Sequence, residues 1–211
     1  MQKKIILILL ILTLICACSK TNESSEYSML IAKVTLLWDG KKYTDPKKAI
    51  EYLDKAIKLK PNSAEAYNLL GAAHNSMGQN QLAIENFTKA IRLKPGDYLV
   101  YFDRGTVYNN LSQDKQAVDD YNEAIRLRPD YADAYNSRGN TYNKLHQYQL
   151  AIKDFNDAIK LQPNNALAYN NRGVAHFMQG DNKLGCSDVQ KACSMGFCKA
   201  LELVKSKGYC R

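Results

Sequence analysis

The stretch ADAYNSRGNTYNKLHQYQLAIKDFNDAIKLQPNN, residues 132–165, contains two amphipathic segments followed by a proline. In the first segment, apolar and small residues recur at helical spacing around Gly139, and in the second segment they recur around Phe155. Pro163 predicts the end of the second helix. No sustained alternation and no hairpin dipeptide indicates a strand. The stretch therefore predicts an αα-hairpin.

The same pattern returns every 34 residues along the chain. The recurring positions are a glycine in the first helix, two alanines in the second helix and a closing proline. They are Gly71, Gly105, Gly139 and Gly173; Ala83, Ala117 and Ala151; Ala90, Ala124, Ala158 and Ala192; and Pro61, Pro95, Pro129 and Pro163. A period of this length indicates stacked copies of one supersecondary unit. Such stacks typically form extended concave binding surfaces rather than catalytic pockets.

Aromatic and histidine residues complete the pattern at two further places in the first helix. They are Tyr67, Tyr101, Tyr135 and Tyr169, and His74, Tyr108, Tyr142 and His176. With these residues the repeat resembles that of tetratricopeptide repeat proteins. The resemblance implies an all-α fold, a right-handed αα-hairpin solenoid of about five repeats.

The resemblance divides the chain as follows: a degenerate repeat over 27–63, regular repeats over 64–97, 98–131 and 132–165, a divergent repeat over 166–199, and a capping helix over 200–211. The degenerate repeat lacks the glycine, and its helix connection carries two or three extra residues. In the divergent repeat Gly185 replaces the alanine and Val189 replaces the aromatic residue.

The amino terminus resembles a bacterial lipoprotein signal peptide. Residues 1–17 combine two lysines with an apolar run, and the run ends in Ile15-Cys16-Ala17-Cys18. By this resemblance Cys18 becomes the lipidated first residue of the mature protein, on the periplasmic face of the cell envelope. Ser19 implies sorting to the outer membrane. The alternatives are simple secretory cleavage and an uncleaved anchor.

Residues 18–26 are polar and lack large apolar side chains, apart from the cysteine at their start. A segment of this composition buries too little surface to order itself. It predicts a short flexible tether between the lipid and the folded domain.

Four cysteines, Cys186, Cys193, Cys198 and Cys210, lie near the carboxyl terminus. An even number of cysteines in an exported chain favours disulfides. Cys186 and Cys193 lie seven residues apart on one predicted helix, about 10 Å, which is too far for a bond between them. We prefer the nested pairing, Cys193–Cys198 and Cys186–Cys210, which fixes the capping helix to the last repeat. The crossed pairing is the alternative pairing, and a zinc site is the competing interpretation of the four cysteines.

A smaller regularity pairs arginines of the first helices with aspartates of the second helices. The residues are Arg104, Arg138 and Arg172, and Asp120, Asp154 and Asp188. The repeat that has Leu70 in place of arginine also has Asn86 in place of aspartate. Because the two positions change together, we expect partly buried ion pairs between the helices, within or between repeats.

The resemblance also implies a concave face lined by the first helices, where a protein or an extended peptide would bind. The candidate groove residues are Asn68, Asn75, Phe102, Asn109, Asn136, Asn140, Asn143, Asn170 and Phe177. Asparagine offers both a donor and an acceptor to a peptide main chain, and phenylalanine can anchor apolar side chains. The alternative is that these asparagines are ordinary solvated helix surface. Some family members bind carboxylates through lysine and arginine here, but Lys144 is the basic residue near these positions, so a carboxylate clamp is not supported.

The net charge of +8 favours acidic partners in general but does not identify one, and an exported chain disfavours nucleic acid. The sequence has no G-x-S-x-G motif, no H-E-x-x-H motif and no phosphate-binding glycine loop. We therefore expect no catalytic residues, no cofactor and no metal. The preferred hypothesis is a membrane-tethered adaptor or assembly scaffold. The alternatives are a self-associating structural protein of the envelope and, less favoured, a cell-wall enzyme.

Overall fold

A computed structural model describes residues 22–210, and within them the regular secondary structure is helical apart from one isolated bridge between Trp38 and Tyr43. The helices are α1 over residues 22–35, α2 Pro46–Leu59, α3 Ala64–Ser76, α4 Asn80–Leu93, α5 Tyr98–Asn110, α6 Asp114–Leu127, α7 Ala132–Lys144, α8 Tyr148–Leu161, α9 Ala166–Met178, α10 Asn182–Ser194 and α11 Lys199–Ser206. Successive helices pair as hairpins, which confirms the predicted all-α hairpin fold. Among residues 22–210 no helix has the length and apolar character needed to cross a membrane. The predicted signal peptide and Cys18 lie outside the described residues.

The chain forms two compact units, an N-terminal unit that ends at Pro95 and a C-terminal unit that begins at Gly96. In the N-terminal unit, Tyr27, Leu30 and Val34 of α1 belong to the same buried cluster as Ala49 and Leu53 of α2. Their spacing of three or four residues places them on one face of each helix. The degenerate first repeat is therefore a packed helical hairpin.

Helix α1 corrects the predicted tether. The sequence placed a flexible segment over residues 18–26, whereas residues 22–26 are helical. The buried face that starts at Tyr27 fixes the helix by packing. The polar residues before Tyr27 continue the backbone hydrogen bonding of that helix. The Ser28 hydroxyl also donates to the Ser24 carbonyl oxygen at 2.9 Å. Residues 18–21 lie outside the described part of the chain.

The connection between α1 and α2 is longer than the sequence predicted. It occupies residues 36–45, whereas the next repeat joins its helices through residues 77–79. The Asp39 carboxylate accepts hydrogen bonds from two backbone N–H groups inside this connection. Asp45 then caps α2 by accepting from the Lys48 N–H at 3.0 Å, with Pro46 at the first helical position.

Each hairpin depends on a close crossing of its two helices. At Gly139 of α7, an added Cβ would lie 2.8 Å from the ring of Phe155 on α8. Ala151 of α8 is fully buried in the same cluster. Any larger side chain at Gly139 would push the helices apart, so the structure confirms that the recurring small residues permit this approach.

The turns within the hairpins share a backbone conformation, although the residue type at the equivalent position differs between repeats. One residue in each turn has a positive φ, and these residues are Gly78, Ser112, His146 and Gly180, which are 34 residues apart. Glycine adopts this left-handed conformation at little cost, whereas other residues adopt it less readily. Ser112 and His146 therefore adopt a backbone conformation that would cost less free energy with glycine at the same positions.

The repeats of the C-terminal unit each contain an ion pair between their two helices. Arg138 Nε donates to Asp154 Oδ2 at 2.8 Å, and Arg138 Nη2 donates to Asp154 Oδ1 at 2.7 Å. The side chains of Arg138 and Asp154 are 17% and 3% exposed, respectively. The equivalent bidentate pairs are Arg104–Asp120 and Arg172–Asp188. The structure thus brings together the two positions whose residue types change together from one repeat to another.

Two of these arginines also bind the preceding repeat. Arg138 Nη1 donates to Asn122 Oδ1, and Arg172 Nη1 donates to Asn156 Oδ1, both at 2.6 Å. The hydrogen bonds to Asp188 also raise the pKa of Arg172, which keeps its guanidinium charged. Each of these arginines therefore joins the two helices of its own repeat and ties that repeat to the one before it.

The regular repeat over residues 64–97 has an apolar substitute for this ion pair. Leu70 occupies the place of the arginine and is 6% exposed. Asn86 occupies the place of the aspartate, and its Nδ2 donates to the Leu82 carbonyl oxygen on its own helix. The two helices of a repeat can therefore also cross with a leucine at the arginine position and an asparagine that bonds to its own helix at the aspartate position.

Replacing Arg138 with leucine alone should lower the free energy of unfolding by about 3–5 kcal/mol, because the buried Asp154 carboxylate loses its guanidinium. The double variant Arg138→Leu/Asp154→Asn copies the Leu70 and Asn86 pair and should lose clearly less. Urea unfolding followed by circular dichroism measures both. The single variant Asp154→Asn completes the cycle. A double-variant loss equal to the sum of the two single losses would show that the two side chains are not coupled.

Candidate functional site

The first helices of the C-terminal unit form a continuous surface, which we call the inner face. Helix α5 contacts α7, and α7 contacts α9. Asn171 Nδ2 of α9 donates to Asn136 Oδ1 of α7 at 3.3 Å, and Lys144 of α7 donates to the Asn109 carbonyl oxygen of α5 at 3.3 Å. These hydrogen bonds fix the spacing of the three helices.

Several groove asparagines have a polar atom without a partner. The Oδ1 atoms of Asn143 and Asn170 are buried and accept no hydrogen bond within the described chain. Asn68 on α3 of the N-terminal unit, at the same place in its repeat as Asn170, has the same unsatisfied oxygen. An unsatisfied buried acceptor costs about 1–3 kcal/mol. The inner face therefore carries hydrogen-bonding capacity that the folded chain does not use.

The remaining predicted groove residues differ in their surroundings. Asn140 is exposed, and Asn75 is half-buried on α3 of the N-terminal unit. The amides of Asn109 and Asn136 accept hydrogen bonds from Lys144 and Asn171. Asn143 and Asn170 donate through Nδ2 to Asn171, so only their oxygens are unsatisfied. The repeat pattern does not show which asparagines are exposed, which have an engaged oxygen and which have an unsatisfied one.

Phe102 belongs to an aromatic cluster at the α5 end of the inner face. Its ring lies 5.0 Å from that of Tyr131 and 5.8 Å from that of Tyr121, measured between centroids. Asp103 is the next residue along α5, and burial followed by the charge of Asp97 raises the pKa of its carboxyl to about 7. This end of the inner face is aromatic and carries a carboxyl group that titrates near neutrality.

The other end of the inner face is an apolar cleft of about 240 Å³ between α9 and the carboxyl-terminal segment, which we call the C-terminal cleft. It is lined by Val174, Phe177 and Met178 of α9, and by Leu203, Val204, Lys207 and Tyr209. The Phe177 and Tyr209 rings lie 5.8 Å apart. Phe177 thus belongs to a defined cleft rather than to a ladder of groove residues.

Two disulfides hold the segment that closes this cleft. Cys193 is bonded to Cys198 before α11, and Cys186 is bonded to Cys210 after it, which is the nested pairing preferred from the sequence. No residue of α11 itself is buried, whereas Cys210 is only 5% exposed. The position of α11 therefore depends on covalent bonds at its two ends more than on apolar burial.

Gly185 has a specific role beside the C-terminal cleft. A Cβ at Gly185 would lie 2.9 Å from the ring of Phe177. The preceding repeats have alanine in place of Gly185 and asparagine in place of Phe177, for example Ala151 with Asn143. The two substitutions are complementary, because the glycine makes the space that the phenylalanine ring occupies.

Gly185→Ala should therefore lower the free energy of unfolding by about 1–3 kcal/mol, since the new methyl group overlaps the Phe177 ring. Adding Phe177→Asn to the same chain restores the pair found in the preceding repeats and should recover most of the loss. Gly96→Ala is the control, because no atom lies within 4 Å of its added Cβ. Equal losses with and without Phe177→Asn would contradict the proposed complementarity.

Sequence reasoning missed Asn171, Met178, Leu203 and Tyr209 as members of the inner face and its cleft. Asn171 follows the predicted Asn170 directly, so a helical wheel with a wider inner face would have included it. Leu203 and Tyr209 lie beyond the last repeat and have no counterpart at the 34-residue period. Over residues 22–210, no group of three or more histidine, cysteine, aspartate or glutamate side chains is placed to hold a metal ion.

Comparison with known families supports the repeat assignment. The family described as TPR repeat matches residues 46–78, 107–146 and 139–180, and the family described as tetratricopeptide repeat matches residues 64–97. No curated protein sequence matches the chain significantly.

Solved structures with similar folds include MamA, at 27% identity and a TM-score of 0.70, with 74% of this chain and 92% of MamA covered. YrrB, described as a TPR protein with an unusual peptide-binding site, matches at 23% identity and a TM-score of 0.67, over 77% of this chain and 84% of YrrB. The first TPR domain of Spaghetti (RPAP3), solved with the HSP90 peptide SRMEEVD, matches at 26% identity and a TM-score of 0.55, over 56% of this chain and 93% of that domain.

Proposed function

This chain belongs to the tetratricopeptide repeat family, and we propose that it is a non-catalytic adaptor that binds an extended peptide segment of a partner protein along its inner face. Proteins of similar fold bind peptides, as the RPAP3 domain does with its HSP90 peptide. Fold alone does not define a ligand, so the proposal depends on the chemistry of the inner face.

The observation that carries the proposal is the set of buried, unsatisfied carboxamide oxygens on the inner face. Asn143 and Asn170 lie on the adjacent helices α7 and α9. A rotation of either side chain would present its oxygen to a backbone N–H of a bound peptide. A peptide that satisfies these acceptors removes a cost that the free protein bears. Such contacts recognise the main chain, so they suit an extended segment.

The membrane tether is part of the same proposal. The leader over residues 1–17 and the cysteine that follows it support a lipid anchor at Cys18 on the periplasmic face of a bacterial envelope, with sorting to the outer membrane. An anchor this close to the first repeat would hold the protein at the membrane. The adaptor would then concentrate a partner protein at the envelope surface.

Selection of a random decapeptide library on the full chain tests the binding function. Peptides recovered on the native chain should lose about tenfold or more in affinity for Asn143→Ala/Asn170→Ala, as loss of two hydrogen bonds predicts. The free energy of unfolding should fall by no more than about 2 kcal/mol, because the deleted oxygens have no partner and the deleted amide groups lose two hydrogen bonds, from Asn143 Nδ2 to the Asn171 backbone oxygen and from Asn170 Nδ2 to Asn171 Oδ1. Gln190→Ala, an exposed change on α10, is the control. Failure to recover any peptide, or equal affinity for the double variant, would refute the proposal.

Replacing Cys18 with alanine should release the chain from membranes, because this change removes the atom that carries the lipid. Fractionation of cells that express the native and variant chains, together with radioactive palmitate labelling, measures the effect. Cys16→Ala is the matched control and should leave the protein attached. Continued membrane association of Cys18→Ala would identify another anchor.

A further inference from the structure

The C-terminal cleft has the features of a second, more selective binding site. Four of its side chains are unusually exposed for apolar residues: Val174 at 41%, Met178 at 56%, Leu203 at 56% and Tyr209 at 51%. Scattered exposed apolar residues are ordinary, but a contiguous cluster around a cavity marks an interaction site. We propose that the C-terminal cleft binds a large apolar side chain of a partner peptide that has an acidic residue beside it.

The cleft continues the inner face, so one peptide can reach both. Val174 and Phe177 occupy the places on α9 that Asn140 and Asn143 occupy on α7. The surface therefore changes from asparagine to apolar residues between adjacent helices. The inference rests on the proposed function, because a peptide lying along the asparagines of α7 would carry its next side chains into the cleft.

The charge around the cleft selects an acidic neighbour. Lys207 is part of the lining, and α9 contains no carboxylate. Helix α11 adds Lys199 and Lys205, against the one carboxylate of Glu202. A peptide with aspartate or glutamate beside its apolar anchor would be favoured by this potential, whereas lysine or arginine there would be repelled. The occupant is therefore an apolar–acidic peptide segment.

The cleft also has an identifiable structural support. Leu203, Val204 and Tyr209 form one wall, and the segment that bears them contains no buried residue before Cys210. An isolated eight-residue helix is not stable by itself in water. The bond between Cys186 and Cys210 therefore holds that wall against α9. Loss of this bond should remove the cleft while the repeats stay folded.

The test uses the full chain and the random decapeptide library described above, with selected peptides measured by fluorescence polarisation. The enriched sequences should place Leu, Ile, Met or Phe next to Asp or Glu. Affinity should fall about tenfold or more for Met178→Glu and Leu203→Glu, which are exposed and should not disturb folding. Chains labelled with ¹³C at methionine methyl groups localise the site, because the Met178 signal, assigned by its loss in Met178→Leu, should shift on binding.

Two matched pairs of variants test the charge beside the C-terminal cleft and the disulfide that holds its wall. Lys207→Glu should weaken acidic peptides about tenfold, whereas Lys191→Glu, an exposed change on α10, should leave their affinity unchanged. Cys186→Ser/Cys210→Ser should abolish binding at the cleft. Cys193→Ser/Cys198→Ser should weaken it less, since it opens only a short loop before α11.

The outcomes separate this inference from the proposed function. Peptides that bind the native chain and all cleft variants equally, yet lose affinity with Asn143→Ala/Asn170→Ala, would overturn the cleft and leave the inner face as the site. Enriched peptides without an apolar–acidic pair, or an unshifted Met178 signal, would also overturn it. Absence of any binding peptide would refute both proposals.

Discussion

The close crossing of two helices in each repeat is the contact on which the other features depend. At Gly139 the backbone of α7 approaches the Phe155 ring of α8 so closely that a methyl group would not fit. Arg138 and Asp154 are the sequence neighbours of these two residues, and they meet because the crossing brings them together. The ion pair is thus a consequence of the crossing, and it fixes the rotation of each helix about its axis. That rotation determines which side chains reach the inner face.

The last repeat keeps this crossing but moves its aromatic ring. Val189 lies against Gly173 where Phe155 lies against Gly139, so the ring between the helices has been lost. A ring appears instead at Phe177, which packs over Gly185 and faces the inner surface. The last repeat departs from the sequence pattern because an aromatic ring has moved. The ring has left the space between the two helices and lies on the exterior of the hairpin. The moved ring lines the exposed apolar cleft beside the disulfide-held helix.

The sequence predicted the features of the fold whose residue types recur in several repeats. The helical hairpins, the small residues at the crossings and the arginine–aspartate pairs all recur at 34 residues, so each copy supports the interpretation of the others. Helix geometry excluded a bond between Cys186 and Cys193, and the structure shows the nested pairing that was preferred over the crossed one. The helical residues 22–26 were missed because their composition is that of a tether, while the face that orders them begins only at Tyr27.

The sequence did not predict contacts made by residues of ordinary surface character or by residues outside the repeats. Asn122 and Asn156 bind the arginine of the following repeat, but as exposed polar residues on second helices they resemble ordinary surface. The distinction between engaged and unsatisfied asparagines depends on neighbouring side chains such as Lys144 and Asn171. Leu203 and Tyr209 lie after the final repeat, so their partners on α9 become apparent only in three dimensions.

Stability and binding capacity lie on different sides of the same helices in the C-terminal unit. The side of α7 that faces α8 has its charges paired and its small residues enclosed, whereas its inner side leaves the Asn143 oxygen unsatisfied. Evolution can therefore vary the inner face without disturbing the crossing. At the carboxyl end this separation goes further, because covalent bonds rather than buried apolar surface position α11. Since α11 contributes little apolar burial of its own, its side chains are free to be selected for what they bind.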